Sequence, residues 1–389
     1  MNTTSLLPPG LPPLEDHLVK HLHAMHSHLA DAISAMPDGF MPFEQWMDLA
    51  LYAPGLGYYA AGNTKFGGVL PTGDFTTAPE STPLFGQTLA RQVAQILQLS
   101  NSTTVLEFGA GSGALAASLI PVLRDAGIPV CYQILEVSAD LRARQQERLA
   151  DFAPDVVWLD TLPVGFAGCV LANEVLDAMP ATLFQWAADG QVMEVGVRLS
   201  ASADQALPFE FAQRAASPPL SHTISARMPA LPGYQSEINL RAEAWMRHIG
   251  DWLERGAALL IDYGFPQREY YHPQRAEGTL MCHFRHHAHS QPLIYPGLQD
   301  ITAHVDFTAM ADAALDAGLQ VLGYTSQARF LMNAGIADLL VTQSPAALST
   351  VQKLLSEAEM GELFKVLAVG RHIDEGLIGF QRGDRRDRL

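Results

Sequence analysis

The stretch from Thr103 to Leu115 constrains this chain more than any other. Val105, Leu106 and Phe108 form a short apolar run around Glu107, Gly109, Gly111 and Gly113 follow at alternate positions around Ala110, and Ala114 to Leu123 then has helical composition. The pattern predicts a buried strand, a glycine turn and the start of a helix. Glycines allow a positive φ and let a ligand lie on bare main chain, and the first N–H groups of the following helix have no partner within it. A nucleotide-like ligand suits such a turn, although glycine turns also join strands to helices for packing reasons alone.

The flanks favour the binding reading. Glu107 precedes the glycines by two positions, and Val130 to Glu136 is a second strand-like run that ends in a carboxylate. Glu136 lies roughly 20 residues past the turn, near where a nucleotide fold sets an acid on ribose hydroxyls. A dinucleotide site would want G-x-G-x-x-G. The chain instead has Glu107-x-Gly109-x-Gly111-x-Gly113, a spacing that resembles class I methyltransferases and favours S-adenosylmethionine (SAM) over NAD. The candidate cofactor contacts here are Glu107, Gly109, Ala110, Gly111, Gly113 and Glu136.

Charge narrows the partners. Among 389 residues, 24 basic and 41 acidic side chains give a formal charge of −17, which would repel a phosphate backbone and excludes general nucleic-acid binding. A basic protein or peptide fits better, and plain solubility is the other use of such acidity. Cys131, Cys169 and Cys282 lie far apart with no C-x-x-C spacing, so they read as thiols of a reducing compartment. No apolar run reaches the ~18 to 20 residues of a membrane span, and the first 16 residues lack a hydrophobic h-region. A cytoplasmic protein without membrane insertion is expected.

Taken in order, residues 1–16 are proline-rich and read as a disordered lead-in. Residues 17–100 read as a helical N-terminal segment and lid, starting with a helix whose face carries Leu18, Leu22, Met25 and Leu29. The lid is Gly73 to Glu80, where Asp74 and Thr76 could cap a helix or cover the methyl donor. Residues 101–380 read as the catalytic domain. In it, Val156 to Asp160 is a third strand, with Asp160 placed for an adenine amino group. Gly168 to Glu174 is a fourth strand whose end carries Asn173 and Glu174, with Asp177 beyond. Ligands of open parallel sheets sit at that edge. Asn173 could meet the methionine part of SAM, Glu174 and Asp177 a cationic acceptor, and Asn173 or Asp177 could equally cap a helix. Residues 183–224 alternate apolar and polar, as hairpins do, and predict an inserted β-rich lobe where one crossover helix would suffice. A helix from Glu237 to Leu253 and a buried strand from Ala257 to Gly264 follow, and residues 381–389 form a charged tail expected to fray. Histidines cluster in residues 17–28 and 265–304, without H-E-x-x-H spacing or a cysteine partner, and no metal is assigned.

Seven blocks in order carry a more specific signal: residues 54–59 (Pro-Gly-Leu-Gly-Tyr-Tyr), 73–80 (Gly-Asp-Phe-Thr-Thr-Ala-Pro-Glu), 107–113, 172–180 (Ala-Asn-Glu-Val-Leu-Asp-Ala-Met-Pro), 261–264 (Ile-Asp-Tyr-Gly), 296–307 and 360–367. Together they resemble the MidA family of SAM-dependent methyltransferases. The resemblance implies a class I, Rossmann-like α/β fold with a mostly parallel seven-stranded sheet, a helical N-terminal extension and the inserted lobe. It implies SAM as cofactor, S-adenosyl-L-homocysteine as product, and Thr77 as a further cofactor contact. Mitochondrial members of that family are complex I assembly factors that dimethylate an arginine of a core subunit. With no obvious transit peptide, this chain resembles the bacterial branch, which implies a protein substrate, with a respiratory complex I subunit as candidate, for a monomer or homodimer.

A sulfonium methyl needs no activation, so the protein must align a nucleophile and exclude water. An arginine nucleophile requires carboxylates that hold the guanidinium bidentately and localise its charge away from the attacking nitrogen. Glu174 is the leading candidate, with Asp177 or Asp74 as second carboxylate. A SAM-binding assembly factor, and a lysine or small-molecule methyltransferase, are the alternatives the sequence leaves open.

Overall fold

The computed structural model describes residues 10–61, 77–201, 207–341 and 344–389. These fall into two compact units, one built from segments within 76–177, 242–267 and 305–389, the other from segments up to residue 75, 178–241 and 268–304.

The first unit carries the large sheet. Its strands are β1 (Thr104–Phe108), β2 (Cys131–Leu135), β3 (Val156–Leu159), β4 (Phe166–Asn173), β5 (Leu253–Phe265), β6 (Gln320–Ser326) and β7 (Phe364–Arg371), in the spatial order β3-β2-β1-β4-β5-β7-β6. All neighbours from β3 to β5 are parallel, and only β7 runs antiparallel to those beside it. A short strand, Val305–Asp306, adds in parallel to the end of β5. The long apolar runs of β4 and β5 are buried on both faces, which a parallel sheet covered by helices requires. Helix Pro83–Ser100 packs on helix Ala114–Asp125 against this sheet. Thr82 starts the former by accepting the Leu84 amide, with Pro83 at its first position, and Asn101 ends it in the left-handed region. This is the mostly parallel α/β fold that the glycine turn and the seven blocks imply.

The second unit is antiparallel. Strand Val192–Leu199 pairs with Met41–Pro42, Thr182–Trp186 and Phe209–Ala215, and Gln235–Ile238 extends the sheet beyond Thr182–Trp186. A small sheet of Met281–Phe284, His287–His289 and Asp300–Thr302 belongs to the same unit. Met25, Leu29 and Ile33 of helix Asp16–Ser34 share a core with Trp46, Leu183 and Val195.

Several expected boundaries move. The hairpins form where alternation marks them, yet the lobe runs on through helix Pro218–Arg227 to strand Gln235–Ile238, so the helix read from Glu237 begins at Leu240. The N-terminal segment does not run as one piece from 17 to 100: residues up to 61 join the lobe and helix Pro83–Ser100 joins the large sheet. The tail read as frayed is pinned, since Arg385 N donates to Tyr324 O (2.7 Å) and Thr325 Oγ1 to Gly383 O (2.7 Å). Among the described residues no helix is long and apolar enough to cross a membrane.

Candidate functional site

The glycine turn links β1 to helix Ala114–Asp125 with Gly109, Gly111 and Gly113 at φ +58°, +54° and +82°. Every other residue of the turn therefore holds a conformation that disfavours side chains. A Cβ at Gly111 would meet nothing within 4 Å, so the tip of the turn faces open space on bare backbone. Behind it, helix Ala139–Arg148 grips the turn twice. Gln145 Nε2 donates to Gly111 O (2.9 Å), and Arg148 Nη1 donates to Ser112 Oγ (2.5 Å) and pairs with Glu80 Oε1 (3.2 Å). Ser112 also donates to Glu80, which ties the start of the preceding helical segment to the same turn.

Two carboxylates flank the turn in different states. Glu107 is 3% exposed, its Oε2 accepting the Tyr132 hydroxyl (2.7 Å), and burial, with a smaller push from the charge of Glu136, raises its pKa to about 7. It supports the turn from below. Glu136 ends the run after β2 at the rim: Oε1 accepts the Ser138 amide (2.9 Å) and Oε2 accepts Gln145 Nε2 (3.0 Å). Burial raises its pKa, and these two donors together with the Val137 amide oppose the rise. The next side chain, Val137, is 85% exposed, an apolar surface beside the acid that the sequence reading passed over.

Across the sheet edge, Asn173 ends β4 and donates Nδ2 to Glu174 Oε1 (3.0 Å), while Asn173 Oδ1 is buried with no hydrogen-bond partner among the described residues. Glu174 sits at φ +53°, in the left-handed region, with its N–H held by Ile261 O (2.9 Å). Asp177 is buried and accepts the Tyr263 hydroxyl (2.5 Å). Beneath both lies Asp262, 1% exposed: Oδ2 accepts the amides of Leu176 (3.0 Å) and Asp177 (3.3 Å), and Oδ1 that of Tyr263 (2.9 Å). Burial, then the charges of Asp177 and Glu174, push the Asp262 carboxyl well above the usual range. Three acids thus gather at the C-terminal ends of β4 and β5, where parallel sheets bind ligands.

Other expected residues stand apart. Asp160, just past β3, is exposed and paired with Arg142, so its carboxylate faces solvent beside a guanidinium. Thr77 precedes helical segment Ala78–Ser81 and its carbonyl accepts the Ser81 amide (3.0 Å) without a side-chain cap. Asp74 lies outside the described residues, as does Thr76. Sequence reading missed Asp262 and Gln145. For Asp262 a signal existed, since it too is an acid near the end of an apolar strand. Gln145 sits in the charged run Arg142 to Arg148 and looks solvent-facing, yet it is fully buried.

This arrangement fits SAM: a bare backbone cradle at Gly111, a rim carboxylate at Glu136 for hydroxyl donors, and at Asn173 a buried acceptor awaiting a donor such as an ammonium group. Relatives agree. A superfamily protein of Burkholderia thailandensis solved with S-adenosyl-homocysteine bound is 46% identical and superposes with a TM-score of 0.89 over 97% of this chain and 100% of that one. A native crystal structure of a superfamily protein from the same organism is 47% identical, TM-score 0.88, with the same coverage. The mitochondrial protein arginine methyltransferase NDUFAF7 homolog of Drosophila melanogaster is 28% identical over 91% of this chain and 89% of its own length, and the Danio rerio NDUFAF7 protein is 28% identical over 88% and 86%. A family described as S-adenosyl-L-methionine-dependent methyltransferases matches residues 88–325, more than half of the chain. With its glycine turn, strand order and cofactor edge in place, the chain belongs to the MidA family of SAM-dependent methyltransferases.

Proposed function

We propose that this methyltransferase acts on arginine side chains of a protein partner. The observation that carries the reading is the acid group formed by Glu174, Asp177 and Asp262 at the ends of β4 and β5. A guanidinium is planar, permanently charged and suited to bidentate carboxylates. Glu174 and Asp177 would hold it and keep positive charge away from the attacking nitrogen. Asp262 fixes the turn that carries both. Tyr263 orients Asp177 through its hydroxyl. The cofactor lies along Gly109 to Gly113, with its ribose hydroxyls donating to Glu136 and its amino group to Asn173. SAM supplies the electrophilic methyl group, and the protein supplies alignment and a dry site.

The name of the Drosophila and Danio relatives, protein arginine methyltransferase, supports the same acceptor. So does the charge of −17, which favours a basic partner. A respiratory complex I subunit is the partner that the family resemblance implies. A reducing compartment such as the cytoplasm suits Cys131, Cys169 and Cys282, all of which are free thiols. The test is transfer of labelled methyl from SAM into a cell lysate, followed by mass spectrometry of the labelled product. Methylarginine in a protein is the expected outcome, and label confined to lysine or to small molecules would overturn the reading.

A further inference from the structure

We infer that Gln145 is the positioning residue of the cofactor site: a single buried amide that fixes both the tip of the glycine turn and the orientation of the carboxylate meant for the ribose. The inference rests on the reading of Glu136 as the ribose ligand and goes beyond it by naming what holds that acid in place.

The geometry leaves the amide no freedom. Trp158 Nε1 only donates, and it donates to Gln145 Oε1 (2.9 Å), so the carbonyl end of Gln145 must face Trp158. The two hydrogens on Nε2 therefore point the other way, one to Gly111 O (2.9 Å) and one to Glu136 Oε2 (3.0 Å). Gln145 is 0% exposed, so water does not stand in for it. Each of its three partners comes from a different part of the site: the turn after β1, the end of β2, and β3. Without it, a glycine turn with three left-handed residues loses one of the two side-chain bonds by which helix Ala139–Arg148 holds it, the one on Gly111 itself. Glu136 would keep only the backbone amides of Ser138 and Val137, with no side chain left to fix the direction of Oε2.

A merely structural glutamine and a positioning one differ in what they do to ligand discrimination. If Gln145 aims Glu136 at the ribose, its loss should weaken ligands that carry ribose hydroxyls far more than ligands that lack them. If it only fills the core, both should weaken alike. The measurement is calorimetric affinity for S-adenosylhomocysteine and for its 2′,3′-dideoxy counterpart, on the purified full chain. In wild type the natural ligand should bind more tightly. In Gln145→Met we expect affinity for S-adenosylhomocysteine to fall about 10-fold, the scale of one lost hydrogen bond to a charged group, while the dideoxy ligand changes less than about 3-fold. A preference that survives unchanged in folded Gln145→Met overturns the inference.

Glu136→Gln is the control for the underlying reading. If that variant keeps the preference, the ribose assignment itself is wrong; if it loses the preference while Gln145→Met keeps it, only the role of Gln145 fails. Should Gln145→Met not fold, Trp158→Phe carries the same test. It removes the donor that locks the amide yet touches neither Gly111 nor Glu136, and the preference should narrow in the same direction. An unchanged preference there overturns the inference as well.

Discussion

Glu174 holds a backbone conformation that costs a residue with a side chain about 1 to 2 kcal/mol, at φ +53°. Strain of this kind persists only where the surroundings enforce it, and here the Ile261 carbonyl and the Asp262 carboxylate do so through the amides of residues 174, 176 and 177. Two substitutions separate the backbone from the charge. Glu174→Gly should melt at or above wild type, because glycine accepts this φ freely and the charge crowding Asp262 is gone, yet it should abolish transfer. Glu174→Gln keeps the shape and should lower transfer at least ~10-fold with S-adenosylhomocysteine affinity within about two-fold. Thermal melts, calorimetry and turnover on the labelled acceptor check both, and normal turnover in either variant would exclude a catalytic role. At Gly111 a Cβ meets no protein atom, so Gly111→Val should fold with modest loss but bind S-adenosylhomocysteine more than about 10-fold worse, by backbone strain and by filling the cradle. Unaltered affinity in calorimetry would count against the cradle. The glycines and Glu174 were legible in sequence because strand ends and bare turns have a local signature. Asp262 carries the same strand-end mark, but its role, like that of Gln145, depends on which strands become neighbours, and no local pattern shows that.

At the scale of elements, the alternation in residues 183–199 marked the hairpin, since a half-buried strand must repeat every two residues. The amphipathic pattern from Glu237 to Leu253 predicts a helix that takes in Glu237 and Ile238, yet these two close strand Gln235–Ile238. Glu237 is 1% exposed and clasps the segment at 278–280. Its carboxylate accepts the amides of Thr279 (2.9 Å) and Leu280 (3.0 Å) and the Thr279 hydroxyl (3.2 Å), while Gly278 at φ +77° leaves room for the clasp. A charged residue in a predicted helix carries no mark of such a distant partner. Glu237→Gln would turn an amide N–H toward backbone donors and leave them unpaired, a cost of about 1 to 3 kcal/mol. For a chain of 389 residues that is roughly 1 °C per kcal/mol in melting temperature. A melting temperature indistinguishable from wild type would mean that the clasp contributes little.

For the molecule as a whole, buried ionisable groups set opposite pH responses in the two units. In the unit with the large sheet, burial raises the pKa of Glu107, Glu136 and Asp262, so the folded form binds more protons than the unfolded one. Stability from these groups is then greatest in acid and falls as pH rises through their folded values. In the other unit, burial lowers His26 and His283 to about 4, so stability is lost as pH falls below the ordinary histidine range, although the raised pKa of Glu237 works against this. From pH ~7.5 upward, a unit above the ordinary histidine value, these histidines are almost wholly neutral in both states and add little to the slope. Glu107 gives the cleanest test, because it rises from 4.5 to about 7 and Glu107→Gln still offers Tyr132 an acceptor. The variant should gain on wild type by about 2 kcal/mol between pH 5 and pH 8, the span over which an ionising buried carboxyl costs stability at 1.36 kcal/mol per unit. Urea unfolding of the cofactor-free protein at the two pH values measures this directly. A difference between variant and wild type that stays constant with pH would mean that Glu107 titrates normally, and the cofactor turn would then rest on an ionised carboxylate, not on a protonated one.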